Sequence, residues 1–185
     1  MPYTAWKTWS AFEVLTAADM NTYTRDNGRW LSHSATGGAP CCRVFNSTSI
    51  TGIGSGAAIT FDSESFDVGG MHSTVTSTER LTVPTGGGGL YMLGGMARLQ
   101  AAYDGSGNGE VGLQIVVNGT TTIGVTRVVN EFATSRTWYV NVTAVWRMSA
   151  GDYATLQVGY LNQTNVDVIA GTNYSPTFWA IWMGE

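Results

Sequence analysis

Residues 110–118 place Val111, Leu113, Ile115 and Val117 at every second position, opposite Glu110, Gly112 and Gln114. The same period of two recurs in 137–147, where Trp138, Val140, Val142, Ala144 and Trp146 oppose Thr137, Asn141, Thr143 and Arg147. It recurs again in 153–162 through Ala154, Leu156, Val158 and Tyr160. Successive side chains of a strand point to opposite faces, so this pattern requires antiparallel strands buried on one side. Turn formers divide them: the glycines at 86–89, the polar run 104–109, Asn118-Gly119 as a type I′ hairpin, and Ser149-Ala150-Gly151-Asp152. Further strands are expected at 43–46, 58–61, 80–83, 90–99, 120–129 and 177–183. The total of about nine or ten at this spacing predicts an all-β, antiparallel jelly-roll β-sandwich.

Composition agrees with that architecture. Charged residues make up 12% of 185 while hydrophobic residues make up 43%, with 24 glycines, 25 threonines and a single lysine, Lys7. Such a chain has too few helix formers for a bundle and too many aromatics for a disordered segment. A net charge of −4 without a basic cluster lacks the electrostatic footprint of a nucleic-acid binder. No window approaches the roughly 18 continuous apolar residues of a membrane span, and no basic-then-apolar leader opens the chain. The expectation is therefore synthesis in a cytoplasm, with no nucleic acid and no membrane insertion. Cys41 and Cys42 are adjacent, which opposes a disulfide between them, and both read as free thiols.

Residues 1–31 have a different character. Tyr3, Trp6, Trp9 and Phe12 precede Val14-Leu15-Thr16-Ala17-Ala18-Asp19-Met20. Thr16 is a helix N-cap with Asp19 three residues on, and Leu15 and Met20 stand at the positions of a hydrophobic staple. Met20, Tyr23, Asn27 and Trp30 then share one stripe of a helix of about 12 to 15 residues, near the lower limit for stability in isolation. The aromatics before the helix have no obvious local partner in the sequence and are expected to be buried against something else. An arm and helix over 1–31, a linker over 32–41 and a head over 42–185 follow.

Catalytic and metal patterns are weak. Asp67, His72 and Ser73 hold the letters of a nucleophilic triad, but residues so close in a Gly-Gly loop seldom form the required relay, and a loop network in which His72 bonds backbone is preferred. In 104–110, Asp104, Ser106 and Asn108 alternate as in a calcium loop with Gly109 at the turn, yet the closing acidic ligand falls on Ile115, and turn formation explains the same residues. No enzyme and no cofactor are expected. Aromatic faces and amide groups near strand ends suit sugars instead, and Tyr103, Asn108, Asn162, Gln163, Asn165, Asn173 and Tyr174 are the candidate glycan contacts.

Two strands are apolar on both faces. In 177–183, Phe178, Ala180 and Trp182 point one way and Trp179, Ile181 and Met183 the other, and Leu90-Tyr91-Met92-Leu93 is apolar throughout. A second apolar face needs a further cover, most economically another subunit.

Read in order, Phe61-Asp62-Ser63-Glu64-Ser65-Phe66-Asp67, Arg80-Leu81-Thr82-Val83-Pro84, Gly89-Leu90-Tyr91-Met92, Met148-Ser149-Ala150-Gly151-Asp152 and Phe178-Trp179-Ala180 form a series over about 42–183. It resembles the jelly-roll heads of the tumour necrosis factor and complement globular-head superfamily, in the version found in bacteriophages and their hosts. Trp9, Glu13 to Thr22 and Arg25-Asp26-Asn27 resemble the attachment peptide that opens many phage fibre and minor virion proteins. No long heptad or collagen-like shaft joins the two, which favours a short spike or knob over a long fibre.

The resemblance implies a homotrimer with the final strand near its axis, and Tyr91, Leu93, Trp179, Ile181 and Met183 are the expected interface. It implies virion attachment through Trp6, Trp9, Phe12, Val14, Leu15, Met20, Tyr23 and Trp30. The resulting expectation is a phage virion protein made in the host cytoplasm and displayed on the virion surface, whose head adsorbs to host-surface glycan. The alternatives are a capsid or tail decoration knob without receptor binding and, third, a host-encoded sugar-binding module.

Overall fold

Val111, Leu113, Ile115 and Val117 are all buried in the strand Gly109–Val117, and the alternation read from the sequence becomes the inner face of a sandwich. The computed structural model describes residues 7–28, 38–103, 109–130, 136–171 and 174–185. Among them are eleven strands: β1 (Cys41–Phe45), β2 (Ile50–Ile53), β3 (Ser63–Val68), β4 (Arg80–Thr82), β5 (Gly89–Tyr103), β6 (Gly109–Val117), β7 (Thr121–Asn130), β8 (Arg136–Met148), β9 (Tyr153–Leu161), β10 (Gln163–Ile169) and β11 (Thr177–Gly184). Every pairing is antiparallel, and the strands form two sheets.

The smaller sheet runs β4-β9-β6-β7. The larger is organised on the 15-residue β5, which pairs with β8 along one edge. Its other edge is shared: residues 90–96 pair with β11, which continues to β1 and β3, and residues 98–103 pair with β10, which continues to β2. Tyr91, Leu93 and Leu99 of β5 meet Leu113, Ile115 and Leu156 of the opposite sheet in one core that also holds Phe61 and Phe178, stacked with ring centroids 6.1 Å apart. Each such side chain contributes about 1.5–3 kcal/mol on burial, so the core rather than surface ion pairs holds the head together.

The turns follow their sequences. Asn118 and Gly119 both have positive φ, 51° and 71°, and the Thr120 N–H donates to the Val117 carbonyl at 3.2 Å, closing the I′ hairpin between β6 and β7. Between β8 and β9 the Asp152 N–H donates to the Ser149 carbonyl, while the Ser149 N–H donates to the Asp152 carboxylate at 2.7 Å.

Three strands, β2, β3 and β10, were not anticipated. Conversely, 58–61 makes a single bridge, Ala58 to Gln157, before its backbone diverts so that Phe61 N–H donates to the Thr78 carbonyl. Gly38, Ala39 and Pro40, read as linker, are buried, and the Pro40 carbonyl accepts from the Trp182 N–H at 3.0 Å. The head therefore begins before residue 42. The helix begins as expected: Thr16 caps Ala17–Asp19 and the Asp19 carboxylate accepts from the Thr16 N–H, a complete capping box. From Met20 to Asp26, however, it takes π-helical register, which shifts the stripe that an α-helix would have presented.

Candidate functional site

The outer face of the larger sheet is the first candidate surface. In β11, Phe178, Ala180 and Trp182 enter the core while Trp179, Ile181 and Met183 face outward, as the alternation required. In β5 the assignment reverses. Tyr91 and Leu93 are fully buried between the sheets, because the register sets them beside Trp182 and Ala180, and the Tyr91 hydroxyl donates to the Gly87 carbonyl at 2.5 Å. Burial pushes that phenol well above its ordinary pKa. These two residues belong to the core, and the outward residues of the strand are Met92 and Met96.

Cross-strand pairing then assembles Ile181, Met92 and Val145 into one row across β11, β5 and β8. All three are exposed, at 38%, 36% and 51%, and Met183, two residues along β11 from Ile181, is 55% exposed. An outward sheet face would ordinarily carry polar side chains here. The sequence marks Met92 only as part of the doubly apolar Leu90-Tyr91-Met92-Leu93 and gives no sign of Val145; pairing register, which no local pattern encodes, is what joins them to Ile181.

The arm is the second surface. Phe12 is fully exposed, Val14 is 79% exposed, and Leu15, Met20 and Trp9 are exposed as well. Tyr23 is half-buried and meets Trp9 edge-on at 6.3 Å. Lys7 lies 4.4 Å from the Trp9 ring centre and pairs with Glu13 and with Asp19, the latter at 3.4 Å. Trp6 and Trp30 lie outside the described residues.

Among the described residues the candidate glycan contacts fall in two places, Asn162 and Gln163 at the start of β10, where Gln163 pairs with Tyr103, and Tyr174 ahead of β11. Asn108 and Asn173, and the side chains of Tyr103 and Asn165, lie outside the described residues. Gln163 is buried as the first residue of β10, with its amide against Gly109 and neither Nε2 nor Oε1 hydrogen-bonded. It is a packing residue rather than an exposed contact. Asn162, half-exposed at φ 53°, forms the tight link from β9 to β10 in a stretch read as loop. Tyr174 is half-buried, with the Arg98 guanidinium 4.6 Å from its ring centre and Tyr139 edge-on at 6.4 Å.

The Asp67–His72–Ser73 triplet makes no relay. Asp67 accepts from the backbone N–H groups of Met71 and His72, at 2.9 and 3.0 Å. The His72 ring lies 2.9 Å from Glu64 through Nδ1 and 3.2 Å from the Thr78 carbonyl through Nε2, while Ser73 Oγ accepts from the N–H groups of Val75 and Thr76. The triplet pins a loop. Of the 104–110 segment only Gly109 and Glu110 are described, and Glu110 accepts from Arg127 at 3.0 Å. Among the described residues no three His, Cys, Asp or Glu side chains are placed to hold a metal, and no helix is long and apolar enough to cross a membrane.

No family model and no curated protein matches the sequence. The globular domain of zebrafish complement 1qA protein is similar in structure, with a TM-score of 0.52 at 12% identity over 78% of this chain and 97% of that one. The head has the complement-type jelly-roll fold. At that identity the likeness is one of fold, and nearly the whole of the complement domain is matched by part of this chain, so the jelly roll is the unit the two share.

Proposed function

We propose that this protein is a non-catalytic adhesion head of a phage virion: a homotrimer of jelly rolls, anchored to the particle by residues 1–31, that meets glycan on the host surface. The observation that carries it is the apolar row Ile181, Met92 and Val145 on the outer face of the large sheet. Exposed apolar rows of this kind mark interaction surfaces, and a second and third copy of the chain supply matching apolar rows around a closed axis. Met183 and Trp179 extend the same surface.

The arm supports the second half of the proposal. Phe12 adopts φ 66°, which costs a bulky residue on the order of 1–2 kcal/mol, and its side chain is fully exposed. Neighbouring Val14 and Leu15 are exposed too, so the segment offers an apolar peptide for a receiving groove on another virion protein. Three heads in one trimer raise weak individual affinities through avidity.

Light scattering on the full-length protein, followed by binding to host cells, tests the reading. The expected result is a particle of three times 19.7 kDa that adheres to cells. A stable monomer at tens of micromolar overturns the trimer, and a trimer that adheres to no cell surface, but whose loss makes virions heat-labile, yields the decoration knob instead.

A further inference from the structure

A groove of about 370 Å³ opens on the outer face of the large sheet where β1 ends and β11 begins, beside the middle of β5, lined by Arg43, Phe45, Ser65, Met96, Tyr174 and Ser175. Its size falls within the range of small-molecule sites. It lies four residues along β11 from Ile181, roughly 13 Å at strand rise, beside the apolar row and distinct from it.

The charge in this groove is unbalanced. Arg43 is exposed, paired in the sheet with Trp179 on one side and Phe66 on the other. Behind Tyr174 stands Arg98, whose Nε is buried without a hydrogen-bond partner. Among the described residues neither guanidinium has an ion pair. The carboxylates of the neighbouring strands are engaged elsewhere: Glu64 with His72, Asp62 with Ser47, Asp67 with the backbone of Met71 and His72, and Asp167 with the Gly52 N–H at 2.7 Å. In a chain of net charge −4, a concave spot lined by Arg43, with a second guanidinium stacked behind its Tyr174 wall, stands out.

The wall is also built in advance. The Tyr174 N–H and the Ser175 hydroxyl both donate to the Gly171 carbonyl, at 3.2 Å each, and a Cβ at Gly171 would stand 2.4 Å from the Tyr174 ring. With Arg98 and Tyr139 on its other sides, Tyr174 is fixed before any ligand arrives. Phe45 and Met96 give an apolar floor, and the hydroxyls of Ser65 and Ser175 stand at the rim.

We infer that this groove binds an anionic saccharide unit, a sugar carrying a carboxylate or phosphate, with Arg43 holding the anion. A guanidinium presents paired donors that match either group. The serine hydroxyls bond ring hydroxyls, and the floor takes the apolar face of the sugar. This inference rests on the proposed adhesive role and names the ligand class and the site for it.

The test is titration of the full-length protein with tetragalacturonate, glucose 6-phosphate and neutral maltotetraose, followed by calorimetry or by NMR shifts, alongside a host-cell adhesion assay. The expected result is binding of at least one charged probe at least tenfold tighter than maltotetraose, falling with added salt; which charged probe wins separates carboxylate from phosphate. R43Q should lose that binding at least tenfold, and R43K should keep part of it. Arg43 is exposed and in no ion pair among the described residues, so an unchanged melting curve is expected, and Y174F, expected to weaken binding severalfold, provides a second variant. Equal affinity for charged and neutral probes, no binding of either charged probe, or wild-type affinity in R43Q overturns the site. If wild-type cells are bound and R43Q binds them equally, adhesion stands and this groove is not its seat; if the wild-type protein binds no cells, the adhesive role itself fails.

Discussion

The indole of Trp179 covers the Cα of Gly94, its cross-strand partner: a Cβ at Gly94 would stand 2.2 Å from Trp179 Cζ2. One residue on, Gly95 faces the opposite way, and a Cβ there would stand 2.6 Å from both methyl carbons of Leu156. The glycine pair thus lets a tryptophan settle on the outside of the large sheet while the two sheets close on the inside.

The two sides differ in how far they can yield. Trp179 is half-exposed and can swing away, whereas Leu156 is fully buried. Gly94→Ala is expected to cost about 1 kcal/mol and Gly95→Ala about 2–3 kcal/mol, the upper part of the overpacking range. Denaturant melts of both variants check this; equal costs would mean that the outer face is packed as tightly as the core.

The reversed parity of β5 gives a second contrast. Leu93→Ala removes a fully buried side chain and should lower stability by about 2–5 kcal/mol. Met92→Lys, next along the strand and exposed, should leave the unfolding transition of the head within about 0.5 kcal/mol while abolishing self-association. Light scattering and melting curves together read both effects. Unfolding by Met92→Lys, or dissociation by Leu93→Ala without loss of stability, would contradict the assigned faces.

These contrasts mark where the sequence was readable. Alternation in β6, β9 and β11, and in β8 at Val140 and Val142, reported burial correctly because one face of each holds the core, but Trp146 at the far end of β8 shares that parity and is 41% exposed. In Leu90-Tyr91-Met92-Leu93 both faces are apolar, so parity carried no signal, and the pairing of Tyr91 with Trp182 decided it. β10 was hidden for another reason. Its Asn and Asp residues are turn formers, yet Asp167 points outward to the Gly52 N–H while Val166 and Val168 fill the core. The groove around Arg43 was invisible for a third, since its lining comes from four separate stretches of chain brought together only by sheet pairing. Capping was legible because it is local: Thr16 and Asp19 are three residues apart and bond as a pair.

Acid sensitivity should localise in part to Asp62. Burial acts to raise its carboxyl, but hydrogen bonds from the Ser47 hydroxyl, the Ser63 hydroxyl and the Ser47 N–H outweigh it and hold the group below its ordinary value. A depressed folded-state pKa contributes stability above the unfolded value, about 3.9, that is lost as pH falls through the folded one. Asp62→Asn should therefore be less stable than wild type at pH 7, with the gap closing below about pH 4. Urea melts from pH 2.5 to 7 follow it; a gap that persists unchanged into acid would remove Asp62 as a contributor.

The adjacent cysteines should behave as inert thiols. Cys42 faces the core and Cys41 is buried beside it, both are free, and burial, aided by the nearby Asp67 charge, raises both thiols above their ordinary pKa. Reaction with a thiol reagent at pH 8 should be slow in the folded protein and fast in denaturant. Rapid labelling of either in the native state would show that the edge strand β3 peels away from β1.

The arm separates assembly from folding. Phe12, Val14 and Leu15 are exposed, so replacing Phe12 and Leu15 with serine removes apolar surface without opening a core. The melting midpoint of the double variant should match wild type, since surface changes away from packing usually stay within about 0.5 kcal/mol. Its incorporation into particles, measured by quantitative blotting of purified virions, should fall at least tenfold, because a receiving groove would lose two apolar anchors worth about 1.5–3 kcal/mol each. Thr16→Ala, which breaks the capping box at a cost of about 1 kcal/mol, should lower incorporation less. Undiminished incorporation of the serine variant would show that particles hold this protein by its head.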